Sequence, residues 1–141
     1  MKLKEKDISA ICDKLKDVLV EGNCVVPAEN IFTLTPPNSS IPNDYILISG
    51  NGGFVDKGDV ANCIVLIEVN SKLLQDKSIN KVRLRYIMNN LSDILDKSIV
   101  EDNYYFSISK DYNIFDDVDV SLGYATKMLN IHCTINRTLT N

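Results

Sequence analysis

Four groups of residues in this chain carry side chains that could do chemistry: the adjacent pair His132-Cys133, the glycine run Gly50-Asn51-Gly52-Gly53, the acidic cluster Asp116, Asp117 and Asp119, and the cysteines Cys12, Cys24, Cys63 and Cys133. A thiol activated by a histidine base needs the two groups within hydrogen-bond reach. His132 is the only histidine, and its neighbour Cys133 lies in an alternating apolar and polar stretch that reads as a strand. Successive residues on a strand point to opposite faces, so His132 cannot serve Cys133. Cys24, Cys63 or a serine elsewhere stays open as a partner, against the plainer reading of a solvated or interface histidine.

The glycine run follows a strand-like segment and invites a phosphate-loop reading. That loop requires G-x-x-x-x-G-K-[ST] opening a helix. Here the chain continues FVDKGDVA into another strand-like run, with no helix N-terminus to hold an anion. A turn at the base of a hairpin loop is the reading that fits. The aspartates lack the D-x-[DN]-x-[DN]-G spacing of an oxygen-ligand calcium loop and read as turn residues bonding their own backbone. No cofactor or metal site is expected.

The cysteines form no C-x-x-C pair. Four of them would suit two disulfides in a secreted chain, but MKLKEKDIS has no apolar core of a signal sequence, so a cytoplasmic protein is expected. Cys12, Cys63 and Cys133 fall on apolar positions, where a reduced cysteine acts as a small hydrophobe. The Asn-x-Ser/Thr matches at Asn38, Asn90 and Asn136 are expected by chance in an Asn-rich chain.

A net charge of -4 and an isoelectric point of about 4.9 argue against a dedicated nucleic-acid binder. Lys81, Arg83 and Arg85 offer a local basic patch or, more simply, the solvated side of a helix. With 141 residues, 45% hydrophobic and 24% charged, the chain suits one domain around one core. No apolar run reaches the length that spans a membrane.

The elements that must position these groups are legible by period. Ile8, Ile11, Cys12, Leu15, Val18 and Leu19 recur at helical spacing, with Asp7 as cap and Gly22 as terminator. Residues 23–43 hold all four prolines and read as a connector packed on the domain, with one short extended piece at 31–34. Strands are expected at 45–49, 62–70, 104–109 and 126–137. A second helix is expected at 79–98, capped by Ser78 and burying Leu84, Ile87, Met88, Leu91, Ile94 and Leu95. Apolar residues on both sides of 62–70 mark a central strand covered on both faces. In 126–137 Leu129, Ile131, Cys133 and Ile135 alternate with polar residues, so one face of that strand is core and the other solvated or at an interface. The expected fold is α+β, a mainly antiparallel four-stranded sheet with both helices packed on one face.

A first amphipathic helix, the segment YILISGNGGFVDKGDVANCIVLIEVN, a second helix INKVRLRYIMNNLSDILDKSI, then NYYFSIS and a closing strand TKMLNIHCTINR make up nearly the whole chain. This order resembles the tail-terminator, tail-completion and neck ring proteins of tailed bacteriophages. The resemblance implies a non-enzymatic virion protein assembled in the host cytoplasm. It would be a subunit of a homo-oligomeric ring that joins portal or connector to tail and lets genomic DNA pass without gripping it. The family carries no catalytic residues across. Loops projecting from a rigid sheet are the usual contact sites, which directs attention to 50–61 and 111–125. The candidate partner-binding residues are Gly52, Gly53, Phe54, Val55, Asp56, Lys57, Asp116, Asp117 and Asp119. Phe54 and Val55 either anchor a partner or fold back on their own domain. The competing readings are a small intracellular binding or adaptor module of the same layout, or a small enzyme.

Overall fold

The computed structural model describes residues 5–37, 43–50, 55–56, 60–96, 99–101, 104–108 and 119–136. In chain order these form helix α1 (Glu5–Glu21), a 3-10 turn (Ala28–Asn30), and strands β1 (Ile31–Thr33), β2 (Tyr45–Gly50), β3 (Val55–Asp56) and β4 (Val60–Lys72). Helix α2 (Lys81–Leu95) follows, then β5 (Ile99–Glu101), β6 (Tyr104–Ile108), β7 (Asp119–Ser121) and β8 (Tyr124–Asn136). The strands make one sheet in the order β1-β2-β4-β8-β6-β5, with β3 also beside β4 and β7 also beside β8.

The protein is α+β, and its backbone is the β4–β8 ladder, paired without a break from Val60↔Asn136 to Lys72↔Tyr124. Register puts the apolar residues in rows on one face. Ile48, Ile67 and Leu129 form one row, Val65 and Ile131 the next, and Cys63, Cys133 and Phe106 a third. All are buried in a single core that also takes Ile11, Cys12, Leu15, Val18 and Leu19 of α1 and Leu84, Ile87, Met88, Leu91 and Leu95 of α2. Both helices therefore cover the same face. Apolar area removed from water in this one sandwich is the main stabilising term.

Two expectations about the sheet are corrected. It is mainly antiparallel but has more than four strands, and β1 runs parallel to β2, with Ile31↔Ile46 and Thr33↔Ile48 in register, so the sheet is mixed. The prolines of the connector fall outside Ile31–Thr33 and leave that short piece free to pair at the edge. Nor do the described elements cover β4 on both sides. Its residues alternate buried and partly exposed along Val60–Val69, because α1 and α2 stack on one face and no described element lies over Ile64 and Leu66.

The helix ends also differ from expectation. Asp7 lies inside α1, not at its cap. After Glu21 the chain closes with Cys24 N–H donating to the Leu19 carbonyl (3.0 Å) and Asn23 N–H to that of Val20 (3.1 Å). Asn23, at φ 59, supplies the left-handed residue of this Schellman turn. Gly22 is needed for another reason: a Cβ there would sit 2.8 Å from Cγ2 of Ile94 on α2. Helix α2 begins later than expected, with Asn80 Oδ1 accepting from Arg83 N–H at 3.1 Å. Ser78 belongs instead to a turn in which its amide and hydroxyl both donate to Asp76 Oδ1, and these bonds hold the Asp76 carboxyl below its usual pKa.

Candidate assembly surface

Among the described residues no helix or strand lies over the face of the sheet opposite the helices. Phe32, Leu47, Glu68 and Met128 lie side by side across β1, β2, β4 and β8. The next rows hold Ser49, Leu66 and Asn130, then Ile64 and His132, then Asn62, Thr134 and Tyr105. Leu47, Ile64 and Leu66 are partly exposed, and Met128 and Tyr105 are 48% and 40% exposed. Towards the ends of the ladder the polar side chains satisfy each other. Thr126 Oγ1 donates to Asn70 Oδ1 at 2.6 Å, and Thr134 Oγ1 donates to Asn62 Oδ1 at 2.8 Å. Edge-to-face rings continue the surface at one corner, Phe32 against Tyr45 at 6.1 Å and Tyr45 against Tyr124 at 5.1 Å. Burial, with the nearby Glu68 charge and Tyr124, raises the Tyr45 phenol above its ordinary pKa. A partly apolar middle thus lies between polar pairs that bond each other.

Of the expected contact residues, Val55, Asp56 and Asp119 are described. Gly52, Gly53, Phe54, Lys57, Asp116 and Asp117 lie outside the described residues. Val55 and Asp56 form β3, opposite Asn62 and Ala61 of β4. Asp119 opens β7 and pairs with Thr126, so it belongs to a strand and not to an acidic loop. β3 and β7 are not brought together. They flank opposite edges of the central ladder, one near Asn62 and the other near the Asn70–Thr126 pair. That separation is roughly 27 Å at the rise of a strand.

Sequence reasoning missed two features. Between β7 and β8, Leu122 and Gly123 have φ of 52 and 85, the left-handed pair of a type I′ turn, and Leu122 is 95% exposed. A large apolar residue at such a tip escapes any search for turn chemistry. The other is a cleft of about 340 Å³ lined by Val26, Pro27, Asn30, Asn43, Asp44 and Arg83. Its floor is a structural bond: Arg83 Nε donates to Asp44 Oδ2 at 2.6 Å. The guanidinium also lies 5.5 Å from the Tyr86 ring centroid. Arg83 is thus tied to the residue just before β2, whereas Lys81 and Arg85 are exposed on α2.

His132 is exposed on the face opposite the helices and Cys133 is buried on the other, so the two point apart as the alternation requires. Among the described residues no three His, Cys, Asp or Glu side chains converge in a way that could hold a metal ion. No helix among them is long and apolar enough to cross a membrane. No protein-family model matches the sequence, and no curated protein matches it.

Proposed function

We propose that this chain is a structural assembly subunit that builds a homo-oligomeric ring, of the kind found at the phage head–tail connector or tail terminus. There it joins portal or connector proteins to the tail while DNA passes through the lumen. The observation that carries this reading is the sheet face opposite the helices: among the described residues no helix or strand lies over it, its side chains Leu47, Ile64 and Leu66 are partly exposed and Met128 is 48% exposed, while the other face is packed under both helices. The placement of β3 and β7 supports a ring over a closed pair. A ring needs two different contact surfaces per subunit, and these segments sit at opposite ends of the central ladder. The four central strands β2-β4-β8-β6 serve as the stiff plate that holds both. The net charge of -4 suits a lumen that repels phosphate rather than gripping it.

The test places a charge in the middle of the face opposite the helices. Leu66→Arg leaves the buried face untouched, so the variant should keep its helical and strand signal in circular dichroism yet sediment as a monomer while the parent chain assembles. Deleting residues 52–59 should likewise block assembly and spare the fold. Assembly of Leu66→Arg at the parent's concentration would remove that face from the contact.

A further inference from the structure

Three thiols lie together in the core. Cys63 and Cys133 are direct partners across the antiparallel β4–β8 ladder, and both are buried, at 2% and 1% exposed. Cys12 of α1, fully buried, is close enough for its charge to bear on Cys133 and for Cys63 to bear on it. Directly opposed residues in an antiparallel pair have Cα atoms roughly 4.5 or 5.5 Å apart, within the roughly 4.4–6.8 Å span that a disulfide bridges. Cys12 reaches this pair from a helix in the layer above and has no such register.

We propose that Cys63 and Cys133 form a latent cross-strand disulfide, closed in the folded chain by a small two-electron oxidant of the diazenedicarboxamide class. The thiol of Cys133 donates its hydrogen to the Cys63 sulfur, which lowers the Cys63 pKa and raises that of Cys133. The shared hydrogen favours Cys63 as the sulfur that attacks first, and the link is the same if Cys133 does. Burial and the neighbouring Asp13 and Cys63 push Cys12 up to about 12, and burial raises Cys24 as well.

The chemistry balances. The Cys63 sulfur adds to one nitrogen of the N=N bond, and the Cys133 sulfur then displaces that nitrogen from Cys63. One S–S bond forms, the N=N bond is reduced to N–N, and the two thiol protons end on the two nitrogens. Because both sulfurs are covered, the reagent reaches them through local opening of the layer above, and the reaction rate follows that opening.

The experiment treats the folded full-length chain with diamide, quenches, and counts thiols after denaturation. A proteolytic map under non-reducing conditions then locates the link. The expected result is a fall from four thiols to two, with the peptides bearing Cys63 and Cys133 joined and released by dithiothreitol. Cys12→Ala and Cys24→Ala should give the same link, and Cys63→Ala should keep all its remaining thiols. A link through Cys12 or Cys24 overturns the assignment. So does retention of all four thiols under conditions that oxidise the urea-unfolded chain.

Discussion

At the start of β2 one carboxylate ties together segments far apart in sequence. Asp44 Oδ2 accepts from Arg83 Nε at 2.6 Å, its Oδ1 accepts from the Lys72 amide at 3.0 Å, and its carbonyl accepts from Asn30 Nδ2 at 3.3 Å. The Asp44 side chain is 12% exposed and that of Arg83 37%. The hub is therefore worth more than the pair. Asp44→Ala should cost about 1–2 kcal/mol in urea denaturation, through lost charge-assisted bonds. Arg83→Ala should cost less than about 1 kcal/mol, as a half-exposed ion pair does. Equal losses would mean that the ion pair alone matters. This role was not legible beforehand because the partners lie 28 and 39 positions away, and no local pattern records that distance. Leu122 makes the opposite case, a local rule broken in plain view. Leu122→Asn would write Asn-Gly, the favoured type I′ pair, and should raise stability by about 1 kcal/mol in the same assay. A loss of stability would show that the leucine is held by contacts within its own fold.

At the scale of elements, periodicity located both helices and the four central strands, because one buried face imposes a period near 3.6 or 2 on each. Their ends were misjudged because end geometry depends on which polar group actually bonds: Asn80 rather than Ser78 caps α2, and Asn23 rather than Gly22 takes the left-handed position. The sequence marks β1 only as a short extended piece. A three-residue edge strand has too few residues to show a period, and its pairing with β2 is decided in three dimensions. The need for Gly22 came from the neighbouring helix. Gly22→Ala should destabilise by about 1–3 kcal/mol through overpacking against Ile94. Ile94→Ala in the same chain should recover part of that loss despite its own cavity, a coupling that a double-mutant cycle reads directly. Strict additivity of the two changes would place the strain elsewhere, at the Val18 carbonyl 3.2 Å from the added carbon.

For the whole molecule, the apolar residues Ile64 and Leu66 were visible in the sequence and misread. A strand apolar on both sides normally lies between two layers, and here the described residues supply one, with Ile64 and Leu66 partly exposed on the other side. The candidate contact residues were legible only in part. Val55, Asp56 and Asp119 are strand residues at opposite corners of the sheet, an arrangement that follows from the β4–β8 register and from nothing local.

Self-assembly into a ring is tested by imaging the concentrated, purified chain in negative stain, with its mass measured by light scattering. A ring-forming subunit gives closed annular particles of one symmetry, at a whole-number multiple of 15.8 kDa. A single 15.8 kDa species at every concentration, with no annular particles in the micrographs, would contradict it.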